Sequence, residues 1–366
     1  MRRFRRTAWN GALTCAVAVV AAGVAACGGG SRGTDTVSLP PGPARASDAT
    51  KLAGPYAVVG PAGATAFTTP PRQPLGAGGE RLTHGFGFMV AAQRTVGGRP
   101  YVQVRDGRWL PASDVSLVTP SAFAGQRLAA GEAGRFGWVV ASSATVHAEV
   151  PPDPRSPTAG RLGTRGRHER VELSGPCEDG RCPIVGGWVR ANELAIPRVA
   201  PRPADVGPLE AWLDVDLSSQ TLTAYEGDEP RFATLVSTGF AGAGSPLATP
   251  TGEFRIRSKH LVTRMDNLEH RGVEPYAYDV PLTQYFSDGK ALHAAPWHDQ
   301  FGRPRSHGCI NLSPRDAAWL FAFTAPRLPA GASEVFATPA RPGTVVRVHG
   351  SVARTASASE VPSWSP

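Results

Sequence analysis

The chain has 366 residues, 41% of them hydrophobic and 19% charged, with 42 Gly and 35 Pro. That length predicts two or three domains, and the turn-forming composition favours short strands over long helices. No apolar run reaches the roughly 20 residues of a bilayer span, which excludes a polytopic membrane protein, and the 3 Met with no long Ala/Glu/Lys/Leu tract argue against a helical bundle.

Arg2, Arg3, Arg5 and Arg6 precede a small-apolar stretch from Gly11 to Ala26. A basic start, a short apolar middle and small residues at the end make residues 1–26 a secretory signal peptide rather than a membrane anchor. Val24-Ala25-Ala26-Cys27 is similar to the lipobox of bacterial lipoproteins. That resemblance implies cleavage before Cys27 and lipid on its sulfur and amino group, hence a place in the cell envelope, tethered to a membrane and facing the wall. Excision would remove four Arg and no acid, taking the formal charge from +8 to +4. No basic stripe interleaves with aromatics, so nucleic acid is not an expected partner. Residues 27–54 read as a flexible tether and 351–366 as an unpacked tail.

Two related segments follow, 55–118 and 136–197. Gly107-Arg-Trp109-Leu-Pro-Ala-Ser-Asp-Val115 reappears as Gly186-Gly-Trp188-Val-Arg-Ala-Asn-Glu-Leu194, and Val58-Val59 through Pro70-Pro71 aligns loosely with Val139-Val140 through Pro151-Pro152. Each unit reads as short strands with turn punctuation. Their length and late-strand Trp resemble bacterial Src-homology-3-like barrels, which implies small β-barrel-like modules that contact the wall or act as spacers, with Trp109 and Trp188 in their cores. Cys177 and Cys182 bracket a Glu-Asp-Gly-Arg turn, and export favours a disulfide between them. Cys15 leaves with the leader and Cys27 takes the lipid, so Cys309 is left without a mate.

After the Pro-rich stretch 198–208 the pattern changes. Leu213, Val215 and Leu217 alternate with Asp214 and Asp216, which predicts a half-buried strand. Ser218-Ser219-Gln220 turns it into Thr221–Tyr225, and Glu226-Gly227-Asp228 turns it again into Phe232–Ser237. Further strands are predicted at Glu253–Ile256, Lys290–His293 and Thr344–Val348. One helix is predicted over Ala317–Phe323: Ser313 supplies the N-cap hydroxyl, Pro314 the first helical position and Asp316 the carboxylate of a capping box.

His293 ends a predicted strand, and Ser306-His307-Gly308-Cys309-Ile310-Asn311 follows twelve residues later. A thiol attacks as thiolate and is mostly protonated near neutral pH, so it needs a base within hydrogen-bond reach. His293 and His307 are the candidates. Gly308 permits a sharp turn that could aim amide N–H groups at an oxyanion. A zinc site from His293, His298, His307 and Cys309 has the ligand types but no finger or ribbon spacing, and neither metal nor cofactor is expected. An inert buried Cys309 would not need flanking His and Gly, and a papain-like enzyme places its Cys before its His.

This His-x12-Ser-His-Gly-Cys-Ile-Asn run resembles the signature of the L,D-transpeptidases, the YkuD-type catalytic domain. Trp212–Tyr225 is similar to the family's first hairpin, and Val236-Ser-Thr-Gly239 and Thr249-Pro-Thr-Gly-Glu-Phe254 to its central strands. The resemblance covers about 208–350. It implies a β-rich catalytic domain with one main helix that remodels peptidoglycan. The thiol would attack the third residue of a tetrapeptide stem, expel D-Ala and pass the thioester to another stem. By position, Cys309 would be the nucleophile and His293 the base. The backbone of His307, Gly308 and Cys309 would form the oxyanion hole, and Ser306, His307 and Asn311 would line the site. Ala294 stands where some relatives place Ser, so only a backbone carbonyl is left to orient His293 there. Tyr276, Tyr278 and Tyr285 fall where relatives carry a flap, either as an aromatic lid or as ordinary packing. Arg303 and Arg305 could meet substrate carboxylates but read better as solvated loop residues. The resemblance leaves open an L,D-carboxypeptidase, with water as acceptor, and a catalytically silent wall-binding lipoprotein.

Overall fold

The computed structural model describes residues 55–69, 79–148, 160–240, 242–266 and 277–352. The signal segment 1–26, Cys27, the tether, Tyr276 and most of the 351–366 tail lie outside the described residues.

The first repeat builds β1 (Tyr56–Val59), β2 (Ala64–Ala66), β3 (Glu80–Leu82), β4 (Phe86–Val96), β5 (Arg99–Val104), β6 (Trp109–Pro111), a 3₁₀ turn (Ala112–Asp114) and β7 (Val115–Val118). After β8 (Gln126–Arg127), the second builds β9 (Phe136–Val139), β10 (Ser143–His147), β11 (Arg161–Gly166), β12 (Arg170–Glu172), β13 (Arg181–Ile184), β14 (Gly187–Arg190), a 3₁₀ turn (Ala191–Glu193) and β15 (Leu194–Ala195). The duplicated Trp strands, β6 and β14, each run through a 3₁₀ turn into the last strand. The expectation that their Trp fill the cores is corrected. Side chains alternate along a strand, and it is the next residues, Leu110 and Val189, that are fully buried. Trp188 instead stacks on His147 at 4.4 Å and donates Nε1–H to the Ala148 carbonyl at 2.7 Å. Cys177 is joined to Cys182, and Cys309 is a free thiol.

The rest of the chain builds β16 (Ala211–Asp216), β17 (Thr221–Glu226), β18 (Glu229–Leu235), β19 (Gly252–Arg255), β20 (Ser258–Asp266), β21 (Ala277–Ser287), β22 (Lys290–Ala294), β23 (Ile310–Leu312), α1 (Pro314–Phe323), β24 (Glu334–Phe336) and β25 (Val345–His349). One sheet has the order β19-β25-β16-β17-β18-β8; in the other β23-β22-β21 continues into β4-β1-β7 of the first repeat. A core of Leu213, Val215, Leu222, Phe232, Val346 and Val348 from the first meets Leu282, Phe286, Leu292, Ile310 and Leu312 from the second, with Ala317, Leu320 and Phe321 of α1. Each such fully buried aliphatic or aromatic side chain stabilises the fold by roughly 1.5–3 kcal/mol. The domain is mostly β, with α1 its one α-helix among the described residues. No described helix is long and apolar enough to cross a membrane.

The strand over Asp214 is not half-buried. It pairs antiparallel with β17 and parallel with β25, which covers both its edges, and both its faces are packed: Leu213 and Val215 enter the domain core, and Trp212 packs with Val206, Tyr225 and Val345. Asp214 is nevertheless 5% exposed because it is partnered, accepting from Arg347 Nε at 2.7 Å and facing His349 Nε2 at 3.0 Å. Ser313 caps α1 by accepting the Asp316 N–H at 3.2 Å. The Asp316 carboxylate reaches across the domain, accepting from Gly125 N at 2.8 Å and the Thr234 hydroxyl at 2.5 Å, so it ties the inter-repeat segment to β18.

The repeats do not stand apart from this domain. β4 pairs parallel with β21, and β8 extends the other sheet at β18. Tyr56, Val58, Phe136, Trp138 and Val140 pack in one cluster with Tyr278, Val280, Trp297 and Phe301. Gly87 permits the closest approach: a Cβ there would lie 2.2 Å from the Tyr278 ring and 2.7 Å from the Tyr56 hydroxyl.

Candidate active site

β22 and β23 run parallel, with Leu292 opposite Ile310, His293 opposite Asn311 and Ala294 opposite Leu312. Leu292, Ala294, Ile310 and Leu312 enter the domain core. Alternation therefore turns His293, Cys309 and Asn311 to the opposite face. There they line a small cavity of about 60 Å³ with Met265, Tyr278, Val280, Trp297, Ser306 and His307.

The loop carrying Cys309 is held on every side. The Thr238 carbonyl accepts from Arg305 N and Ser306 N at 2.8 and 2.9 Å. Thr238 is itself clasped by Gln220, whose Oε1 accepts its N–H at 2.9 Å and whose Nε2 donates to its hydroxyl at 2.7 Å. The Thr249 hydroxyl accepts from Gly239 N and donates to the Gly308 carbonyl at 3.0 Å. Lys290 donates to the carbonyls of Pro246 and His307, both at 2.8 Å. Gly308 has φ +108°, and a Cβ on it would lie 2.6 Å from Lys290 Nζ and 2.8 Å from the Ala248 carbonyl. No other residue combines that backbone with that approach. Ser306 Oγ donates to the Cys309 carbonyl at 2.5 Å and accepts the Gly308 N–H at 3.1 Å. Of the groups expected to form an oxyanion hole, the Gly308 N–H is thus bonded to Ser306.

His293 Nδ1 lies 2.9 Å from the Ala294 carbonyl. A carbonyl only accepts, so Nδ1 carries the proton and Nε2 keeps its lone pair. Burial, only partly opposed by that carbonyl, brings the imidazole down to about 4, so it is a neutral base. Burial pushes the Cys309 thiol up, against the smaller pull of an Ala291 backbone hydrogen bond and the Lys290 charge. The resting pair is therefore a neutral thiol and a neutral imidazole. His307 is held down by burial and then by Lys290; its ring meets Phe240 edge-on at 5.7 Å.

Tyr278 is 3% exposed, 6.4 Å from the Tyr56 ring and 4.9 Å from that of Trp297. It packs as a wall of the cavity. Tyr285 is half-buried with its ring edge-on to His260 at 5.7 Å. Of the two arginines expected to be solvated, Arg303 is exposed as expected, and the expectation is corrected at Arg305. Arg303 donates Nε–H to the Val140 carbonyl at 2.9 Å. Arg305 is half-buried, its Nε without a partner, and its guanidinium lowered by burial. Among the described residues no group of three or more His, Cys, Asp and Glu side chains is placed to hold a metal ion.

Sequence reasoning passed over Lys290, Trp297, Gln220 and Met265, and considered His298 only as a metal ligand. Trp297, whose ring lies 5.8 Å from that of His293, carried a usable signal, because a large aromatic four residues past a candidate base at a strand end falls beside the site. Gln220 carried none, since its contact with Thr238 spans the whole β17–β18 hairpin.

The YkuD family, described as the L,D-transpeptidase catalytic domain, matches residues 210–348. L,D-transpeptidase 1 of Mycobacterium tuberculosis is 32% identical over 117 residues, which are 30% of this chain and 46% of that protein. The chain thus spans less than half the length of this curated relative. Among solved structures, an L,D-transpeptidase from Stackebrandtia nassauensis is 26% identical over 40% of this chain and 58% of its own, with a TM-score of 0.27. One from Mycobacterium smegmatis is 20% identical over 62% of this chain and 100% of its own, with a TM-score of 0.30. Residues 210–348, which supply every side chain lining the cavity, match the L,D-transpeptidase catalytic domain of the YkuD family.

Proposed function

We propose that the chain is a cysteine-dependent L,D-transpeptidase that crosslinks peptidoglycan. The single observation that carries this reading is the His293–Ala294 hydrogen bond, which leaves a neutral imidazole with Nε2 unprotonated in the same cavity as Cys309. Cys309 Sγ attacks the carbonyl of the third residue of a tetrapeptide stem while its proton passes to His293 Nε2. The tetrahedral intermediate collapses, the C–N bond breaks, and the departing D-Ala amine takes the proton from His293. The thioester then acylates the side-chain amine of a second stem, which restores the thiol. Small cavity size and the Tyr278–Trp297 wall favour exclusion of water from the thioester.

We also read the paired repeats as Src-homology-3-like modules that brace this wall; the shared cluster of Tyr56 with Tyr278 and Trp297 supports a bracing role. A lipid on Cys27 would hold the enzyme in the cell envelope facing its substrate, a reading supported by the basic, apolar and small-residue leader.

The test uses the purified full chain and its Cys309→Ala variant with tetrapeptide-bearing muropeptides, with products read by liquid chromatography and mass spectrometry. A dimer lacking one D-Ala, absent with the variant, is the expected result. Tripeptide without dimer would assign water as the acceptor and make the enzyme an L,D-carboxypeptidase. An active Cys309→Ala protein would refute the nucleophile.

A further inference from the structure

Asn311 stands on the same strand face as Cys309, is 2% exposed and lines the cavity. Its amide is placed with Nδ2 3.0 Å from His298 Nε2 and with Oδ1 buried and without a hydrogen-bond partner. The His298 ring decides whether that orientation can stand. Its Nδ1 lies 3.1 Å from the Gln300 backbone N–H, which can only donate. Nδ1 therefore keeps its lone pair, and a neutral imidazole then carries its proton on Nε2. A ring N–H would face an amide NH₂, donor against donor, while an acceptor oxygen sat buried with nothing to accept. An unsatisfied buried oxygen of this kind has lost its hydration with nothing to replace it. Turning the amide by half a turn about its terminal bond exchanges oxygen and nitrogen, which have nearly the same shape; it removes the donor–donor clash and leaves the NH₂ as the buried group still in want of an acceptor in the free enzyme. Oδ1 then accepts from His298 Nε2–H at the same 3.0 Å.

We propose that His298 is a positioning residue that locks the Asn311 carbonyl onto its own ring, so that Asn311 presents its NH₂ to the Cys309 cavity as a neutral donor for the oxyanion that forms on the acyl carbonyl. The orientation of the amide stands on hydrogen-bond geometry alone; its use on an oxyanion rests on the acyl-transfer reading above. The loop leaves a place for such a donor, because Ser306 already occupies the Gly308 N–H. Burial, followed by the charges of Arg305 and His293, holds His298 down to about 3, so no cationic ring intervenes near neutral pH.

Two measurements test the two halves separately. Long-range ¹H–¹⁵N correlation on the histidine-labelled full chain reads the ring tautomer with no reaction. His298 is expected with a protonated Nε2 and a pyridine-like Nδ1, unchanged from pH 5 to 8; a protonated Nδ1 would overturn the amide assignment. Single-turnover acylation by a tetrapeptide donor reads the function. Asn311→Leu is expected to lower the acylation rate constant about 10- to 100-fold with KM little changed. His298→Leu is expected to lower it less, and His298→Gln, which keeps an N–H toward Asn311, to restore it. Undiminished acylation by folded Asn311→Leu, or equal losses in His298→Leu and His298→Gln, would overturn the proposed role. A wild-type protein that forms no acyl-enzyme would overturn the acyl-transfer reading, while the tautomer would still decide the amide.

Discussion

Raising the pH should speed alkylation of Cys309 steadily, with no early plateau. The perturbation is pH alone, applied to the free enzyme with iodoacetamide as a small thiolate-specific probe. A free cysteine with a pKa near 8.5 is only about 3% thiolate at pH 7. Cys309 lies higher still: burial dominates, and neither the Ala291 hydrogen bond nor Lys290 offsets it. His293 cannot supply a resting imidazolium partner, because it is neutral above about 4. The rate at pH 7 should therefore sit at least about 30-fold below its high-pH limit and climb about tenfold per pH unit from pH 6 to 8. Intact-mass spectrometry against time, at a series of pH values, gives the profile. A plateau reached below pH 7 would reveal a resting thiolate–imidazolium pair and refute the neutral-pair reasoning.

Three other perturbations probe the frame around the site. The buried Asp316 carboxyl is pushed up to about 6, mainly by burial. The folded state thus holds that proton more tightly than the unfolded chain, and the stability it contributes below pH 4 is lost as pH rises through 6, on the order of 3 kcal/mol. Asp316→Asn should remove that fall, read as the difference in urea midpoint between variant and parent from pH 4 to 7; parallel curves would contradict it. Gly308→Ala combines about 1–3 kcal/mol of backbone strain with a clash against Lys290, and should cut acyl-enzyme formation more than tenfold by mass spectrometry; an unchanged rate would show that the loop yields easily. Reducing Cys177–Cys182, which are 5 apart in sequence, should destabilise the second repeat by roughly 2 kcal/mol and leave the acylation rate unchanged. Equal loss of activity with Cys177→Ser would deny that separation.

Much of the chemistry is written locally and so was legible in the chain. Cys309 and His293 announce themselves as candidates by residue type and spacing, because the proposed nucleophile and base lie at adjacent strands joined by one loop. The α1 cap was readable because Ser313 and Asp316 are neighbours in sequence, and the Trp212–Tyr225 hairpin because alternation and turn residues act over a few positions. Ala294 even predicted the group that orients the base, since a methyl leaves only the backbone to accept from Nδ1.

Tertiary structure alone decided the rest, because those outcomes depend on what packs against each residue. Asp214 is buried through β25, more than 130 positions away, and Arg347 on that strand supplies its partner. Asp316 turns its carboxylate to Gly125 and Thr234, contacts no local pattern encodes. Tyr278 becomes a fixed wall only because Tyr56, from a repeat that reads as a separate module, packs beside it and Gly87 lets the backbone close in. His298 gains its role from the Gln300 N–H on one side and Asn311 on the other, once a strand and a loop meet. Short-range pattern determined which residues could react in this protein; long-range packing determined their protonation, their orientation and the walls around them.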